Sequence, residues 1–153
     1  MAGSSGDRLI ILVAEDDPND VLLLQRAFKR NGIDLPVHVS PDGADAMAYL
    51  KGEGPYSDRD RYPFPRAMIT DLKMPRCSGF ELLQWLDEHP ECKVIPVIVL
   101  SASAEDRDVK RCFQLGANSY FRKPTSFEEL CALVKLNHDY WSRGIVPEMP
   151  KKC

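Results

Sequence analysis

Three consecutive acids, Glu15, Asp16 and Asp17, close the apolar run at residues 9–14, and a fourth, Asp71, stands near the end of the run at 67–72. Ser101 falls at the end of a third run and Lys123 at the end of a fourth. Several carboxylates gathered at one place repel one another unless a cation lies among them, and an all-oxygen donor set suits a hard divalent ion such as Mg²⁺. With an ion, an ammonium and a hydroxyl to hold the charge of a transferring phosphoryl group, one remaining carboxylate can act as the nucleophile. Asp71 is the candidate. Each residue also has a plainer use: Asp17 before Pro18 can cap a helix, Lys123 alone would be a surface lysine and Ser101 alone a loop serine. Only their arrival at one edge of a fold makes the chemistry worth pursuing.

Five apolar runs have to supply that edge, at 9–14, 35–40, 67–72, 94–102 and 119–124. The first and fourth are nearly continuous and rich in β-branched residues, as strands buried on both faces should be. Helix signals separate them. Asp17-Pro18 reads as N-cap and first helical residue, Val21, Leu24 and Phe28 form a buried stripe, and Asn31-Gly32 closes the helix. Asp42 opens a second helix with Met47 and Leu50 inward, and Ser78 opens a third with Phe80, Leu83 and Leu86. Ser103 is expected to open a fourth that ends near Gly116, and Ser126 with Glu129 makes a capping-box start for the fifth. Strict β-α alternation with short connections implies right-handed crossovers and a doubly wound parallel sheet. In such sheets ligands bind outside the carboxyl ends of the strands, where the acids, Ser101 and Lys123 fall. Residues 52–66, with Gly, three prolines and many charges, read as a long surface loop, and residues after about 140 as an irregular tail.

Bulk composition narrows the class. A chain of 153 residues, 44% hydrophobic and 28% charged, suits one globular domain, and a net charge of −3 gives no reason to expect nucleic acid. No apolar run approaches the about 20 residues needed to span a bilayer, so no membrane association and a cytoplasmic location are expected. The 5 cysteines are far apart with no C-x-x-C pair, and reduced thiols are expected.

The segments "VAEDDPND", "ITDLKMPRCSG", "VLSAS" and "YFRKP", in this order and on these strands, make the chain resemble the response-regulator receiver domains of two-component signalling. The resemblance implies a flavodoxin-like fold with five strands in the order 2-1-3-4-5 and five helices. It implies a receiver over residues 8–141, after a disordered start at 1–7 and before a tail at 142–153. Asp71 would be the phosphoacceptor. Asp16, Asp71 and the backbone carbonyl of Lys73 would hold Mg²⁺ directly, with Glu15 reaching it through water. Lys123 and Ser101 would bind the phosphoryl oxygens, Pro124 would follow a cis peptide, and Tyr120 would be the aromatic that turns inward with Ser101. The expected activity is that of a phosphoacceptor with self-catalysed transfer and slow autodephosphorylation, not of an enzyme acting on other substrates.

The spelling "AEDDPNDVLLLQRAF", the long loop and the final "HDYWSRGIVPEMP" are similar to stand-alone regulators serving phytochrome-type histidine kinases. The resemblance therefore implies a histidine kinase as donor, a downstream protein or phosphotransfer protein as target, and a homodimer through the face of the fourth helix, fifth strand and fifth helix. Two other classes are weighed against it. An aspartyl-phosphate phosphatase needs a second acid two residues after its nucleophile, where this chain has Lys73. A receiver-like module that is never phosphorylated would lack part of the acidic set, and here none is missing. His38, His89 and His138 show no ligand spacing, Cys77 reads as a small loop filler, and Trp85 and Trp141 read as helix packing.

Overall fold

The computed structural model of the protein describes residues 9–145 and 147–153, so the expectation for residues 1–7 lies outside the described residues. Five parallel strands form one sheet: β1 (Ile11–Ala14), β2 (Val37–Ser40), β3 (Ala67–Thr70), β4 (Val97–Ser101) and β5 (Ser119–Arg122). Their order is β2-β1-β3-β4-β5, as expected. Five helices alternate with them: α1 (Pro18–Arg30), α2 (Gly43–Lys51), α3 (Gly79–Asp87), α4 (Asp106–Gln114) and α5 (Phe127–Arg143).

The pleat explains the continuous apolar runs. Ile11, Val13, Ile69 and Leu100 face α1 and α5, where they meet Leu24, Phe28, Leu130 and Trp141. Leu12, Met68, Val97 and Val99 face the other way, toward Leu50, Leu82, Leu83 and Cys112 of α2, α3 and α4. Each such side chain withdrawn from water contributes about 1.5–3 kcal/mol, so the central strands stay apolar up to their last residues, Thr70 of β3 and Ser101 of β4.

Caps fix where the helices start, and so where the strand-to-helix loops lie. Asp17, Asp42, Ser78 and Ser126 each accept a hydrogen bond from a first-turn backbone N–H of the helix they precede. Ser103 does not open α4. The helix begins at Asp106 behind Glu105, which makes no side-chain cap bond. Ser103 instead ties the preceding loop, its Oγ accepting from Glu105 N–H (3.3 Å) and donating to Asp108 (3.0 Å). A serine can satisfy such a turn as readily as a cap, which is why its type alone misplaced the start.

Two other expectations are corrected. The segment 52–66 does not simply run over the surface: Tyr56 and Phe64 are buried. The Tyr56 hydroxyl donates to Asp45 (2.9 Å), the Tyr49 hydroxyl donates to the Pro63 carbonyl (2.7 Å), and Tyr49, Tyr56 and Tyr62 pack around His38. Not all the thiols are reduced. Cys92 and Cys153, 61 positions apart, form a disulfide with Cα atoms 5.8 Å apart, and Cys77, Cys112 and Cys131 are free and buried. The pairing depends on the path of the chain after α5, which no local spacing announces.

Candidate functional site

The carboxyl edge of the sheet gathers most of the expected residues. Glu15 directly follows β1 and is buried, and Asp71 directly follows β3 with 9% of its surface exposed. The ammonium of Lys123, just beyond β5, bridges Asp71 Oδ2 (2.8 Å), Glu15 Oε1 (2.8 Å) and Asp20 Oδ2 (2.6 Å). Carboxylate oxygens of Glu15, Asp16 and Asp71 lie within 4.8 Å of one another. A cleft of about 60 Å³ opens among Glu15, Asp20, Asp71 and Lys123.

Local backbone structure aims the Asp71 carboxylate. Asp71 N–H donates to the Ala14 carbonyl (3.0 Å), which seats the residue beside the end of β1. Its Oδ1 accepts from Leu72 N–H (2.7 Å), leaving Oδ2 to Lys123. Helix α3 then starts so close that a Cβ on Gly79 would lie 2.1 Å from the Asp71 carbonyl oxygen. Only glycine permits that approach. Arg76, at φ 63°, completes the turn between Asp71 and α3, and its guanidinium binds Asp42, the cap of α2 (2.8 Å).

The electrostatics show a shortage of positive charge. Burial pushes the Glu15 carboxyl up to about 7 and Asp71 adds to the rise, against the pull of Lys123 and of the Asp17 N–H. Burial alone would lower Lys123, but its hydrogen bonds to Asp20, Asp71 and Glu15 outweigh this and hold it above the ordinary lysine range. The Glu15 rise comes first from burial, and the Lys123 rise from the three carboxylates of Glu15, Asp20 and Asp71 that share its ammonium. Oxygen-only donors with excess negative charge fit a hard divalent cation.

Residues 11–135 match the family model of the response regulator receiver domain. The chain belongs to this family. This receiver is 32% identical over 141 residues to the response regulator Rcp1 of Synechocystis sp., covering 92% of this chain and 94% of Rcp1. The Mn²⁺-bound form of Rcp1 superposes with a TM-score of 0.80, covering 91% of this chain and 99% of that one. The response regulator RPA3017, in red light signalling of R. palustris, superposes at 0.86 with 27% identity over 91% and 98% of the two chains. The phosphorylated cyanobacterial phytochrome response regulator RcpA superposes at 0.83 with 31% identity over 92% and 99%.

The other expected residues sit around the receiver's acidic centre. Ser101, at the end of β4, is buried and its Oγ accepts from Ser103 N–H (3.2 Å), while its carbonyl accepts from Lys123 N–H (2.7 Å). Tyr120 is half-buried and its hydroxyl donates to the Ser103 carbonyl (2.7 Å), so the aromatic already lies against the β4–α4 loop. Lys73 is exposed just beyond Asp71, and Asp17 caps α1. No peptide bond among the described residues is cis, so the expectation for Pro124 is corrected. A trans bond before proline is favoured by about 0.5–1 kcal/mol, and Lys123 reaches Asp71 with it. Asp20 was missed by sequence reasoning. Its signal was the acid four residues after Asp16, in the first turn of a helix that starts at the same edge.

Proposed function

We propose that this receiver accepts a phosphoryl group from the phosphohistidine of a histidine kinase onto Asp71, and that the change engages a downstream protein through the face of α4, β5 and α5. The observation that carries the reading is Lys123 Nζ at 2.8 Å from both Asp71 and Glu15, beside a cleft that opens on the acceptor carboxylate. The Asp71 carboxylate attacks phosphorus, the P–N bond breaks and its electron pair returns to the imidazole. Lys123, already hydrogen-bonded to Asp71, holds the charge that develops on the phosphoryl oxygens. Asp16, Asp71 and the Lys73 carbonyl would hold Mg²⁺, with Glu15 acting through water. Bound there, the ion offsets the acids and the charge of the transferring group.

The acyl phosphate adds about −1.5 to −2 charges at the end of β3. Ser101 is one strand away, and its hydroxyl donates to the new phosphoryl group, drawing in the loop that Tyr120 grips. The likeness to RcpA, a cyanobacterial phytochrome response regulator, supports a phytochrome-type kinase as donor, and we place the exchange in the cytoplasm. Exposed Phe113 on α4 and Leu136 and Tyr140 on α5 support self-association through the same face. Light scattering with and without phosphorylation checks this: a single-chain mass at high concentration in both states counts against it.

Intact mass after incubation with Mg²⁺ and acetyl phosphate tests the main reading. The chain gains one phosphoryl group and Asp71→Asn gains none. No gain in the parent chain, or a gain that survives the substitution, overturns it.

A further inference from the structure

Residues 147–153 do not trail into solvent after α5. Pro147 and Met149 line, with Arg66, Pro96 and Trp141, a cavity at the amino edge of the sheet, where β3 and β4 begin. Arg66 donates to the Trp141 carbonyl there. Further on, Arg59 Nε donates to the Lys151 carbonyl (2.8 Å), and Cys153 N–H donates to the Leu50 carbonyl at the end of α2 (3.0 Å). Met149 and Cys153 pack on the core under α2 and α3. The disulfide to Cys92, in the turn between α3 and β4, completes the path.

The two sulfurs differ in access. Cys92 is fully buried, whereas Cys153 is half-buried. The geometry points to a reversible thiol–disulfide clasp at Cys92–Cys153, opened and closed by small-molecule thiols and disulfides through Cys153, that fastens residues 147–153 across the amino edge of the sheet. A thiolate such as that of glutathione attacks Cys153 Sγ, forming a mixed disulfide there. The Cys92 sulfur leaves with the electron pair of the broken bond and takes a proton from solvent. A second thiolate attacks the glutathione sulfur, expels Cys153 as a thiolate that is then protonated, and leaves with the first as glutathione disulfide. Closing runs the same steps backward, the small disulfide being the oxidant. After opening, the hydrogen bonds from Arg59 and to Leu50 still form part of the time and so return Cys153 to Cys92 for reclosure. Opening weakens the grip on Lys151, and with it the docking of residues 52–66 through Arg59, which also binds the Tyr49 carbonyl (2.8 Å).

The test uses the full chain equilibrated in glutathione buffers of different redox poise, quenched by alkylation and mapped by mass. In oxidising buffer Cys92 and Cys153 are linked to each other, in reducing buffer both alkylate after denaturation, and excess glutathione disulfide leaves its adduct on Cys153. Amide exchange of residues 151–153 and 56–60 then speeds up about tenfold on reduction. Cys153→Ser gives the fast exchange in either buffer. Failure of the pair to link in oxidising buffer, persistence of the link in reducing buffer, an adduct on Cys92, or exchange that ignores redox poise would each overturn the clasp.

Discussion

The ammonium of Lys123, beyond edge strand β5, lies 2.8 Å from the carboxylate of Asp71, beyond the central strand β3, with β4 between the two strands. The contact spans 52 residues of sequence and brings the Lys123 ammonium onto the Asp71 carboxylate. Lys123→Ala would leave Glu15, Asp20 and Asp71 facing one another without it. With the lysine side chain 21% exposed, the expected loss is roughly 2–3 kcal/mol in metal-free buffer. Urea unfolding with and without Mg²⁺ checks this: the loss shrinks when Mg²⁺ is added, and equal stability of variant and parent in the absence of metal would refute the account.

Gly79→Ala places a methyl group against backbone that cannot move aside as a flexible side chain would. Overpacking of this kind costs about 1–3 kcal/mol, and here the upper end is expected. Because the obstructing atom is the Asp71 carbonyl oxygen, the phosphorylation rate should fall along with the melting temperature. A variant as stable and as readily phosphorylated as the parent would show that α3 can start further from the acceptor than described.

Much of this was legible beforehand. Asp17, Asp42, Ser78 and Ser126 cap the helices they precede because a short polar side chain before an amphipathic run has few better uses. The acids and Ser101 could be placed because a strand buried on both faces has one exit for a polar group, its end, while Lys123 was placed by the run that precedes it, the partly exposed edge strand β5. What stayed hidden depended on contacts between distant segments. Asp20 looks like an ordinary first-turn acid until α1 is laid over the end of β5. The ring cluster of His38, Tyr49, Tyr56 and Tyr62 is spread over three segments, and its compositional signal in 52–66 was that of a solvated loop.

Tyr120→Phe removes the hydroxyl that donates to the Ser103 carbonyl and also meets the Ser101 side chain, and leaves the ring's packing in place. The cost should be about 1 kcal/mol, confined to the loop between β4 and α4. Amides of residues 103–105 are expected to exchange faster while phosphate uptake from acetyl phosphate persists. Unchanged exchange would mean that the hydroxyl does not hold the loop.

Burial keeps the His38 imidazole below its ordinary value of 6.5, with Asp45 pulling weakly the other way. The surrounding tyrosine hydroxyls carry no charge in this range, with burial raising Tyr49 and Tyr56 above their ordinary value. The unfolded chain therefore binds a proton that the folded one resists. Stability from this residue is full above pH 6.5 and declines below it, by at most about 1.4 kcal/mol per pH unit. The difference in unfolding free energy between the parent and His38→Gln should narrow as the pH falls from about 7.5 to 5.5. A difference that stays constant across that window would exclude His38 as its source.

The segment that crosses beneath the strands gives the domain an uneven compliance. Its floor is strapped from α5 through Arg66 and Arg59 to α2 and the turn before β4. At the opposite edge Lys123 ties the ends of β1, β3 and β5 together, whereas the loop between β4 and α4 meets Tyr120 through the single hydrogen bond to the Ser103 carbonyl. On the proposed reading, a charge arriving at Asp71 would do its work against this more lightly held loop, with the displacement channelled there and not dissipated through the sheet.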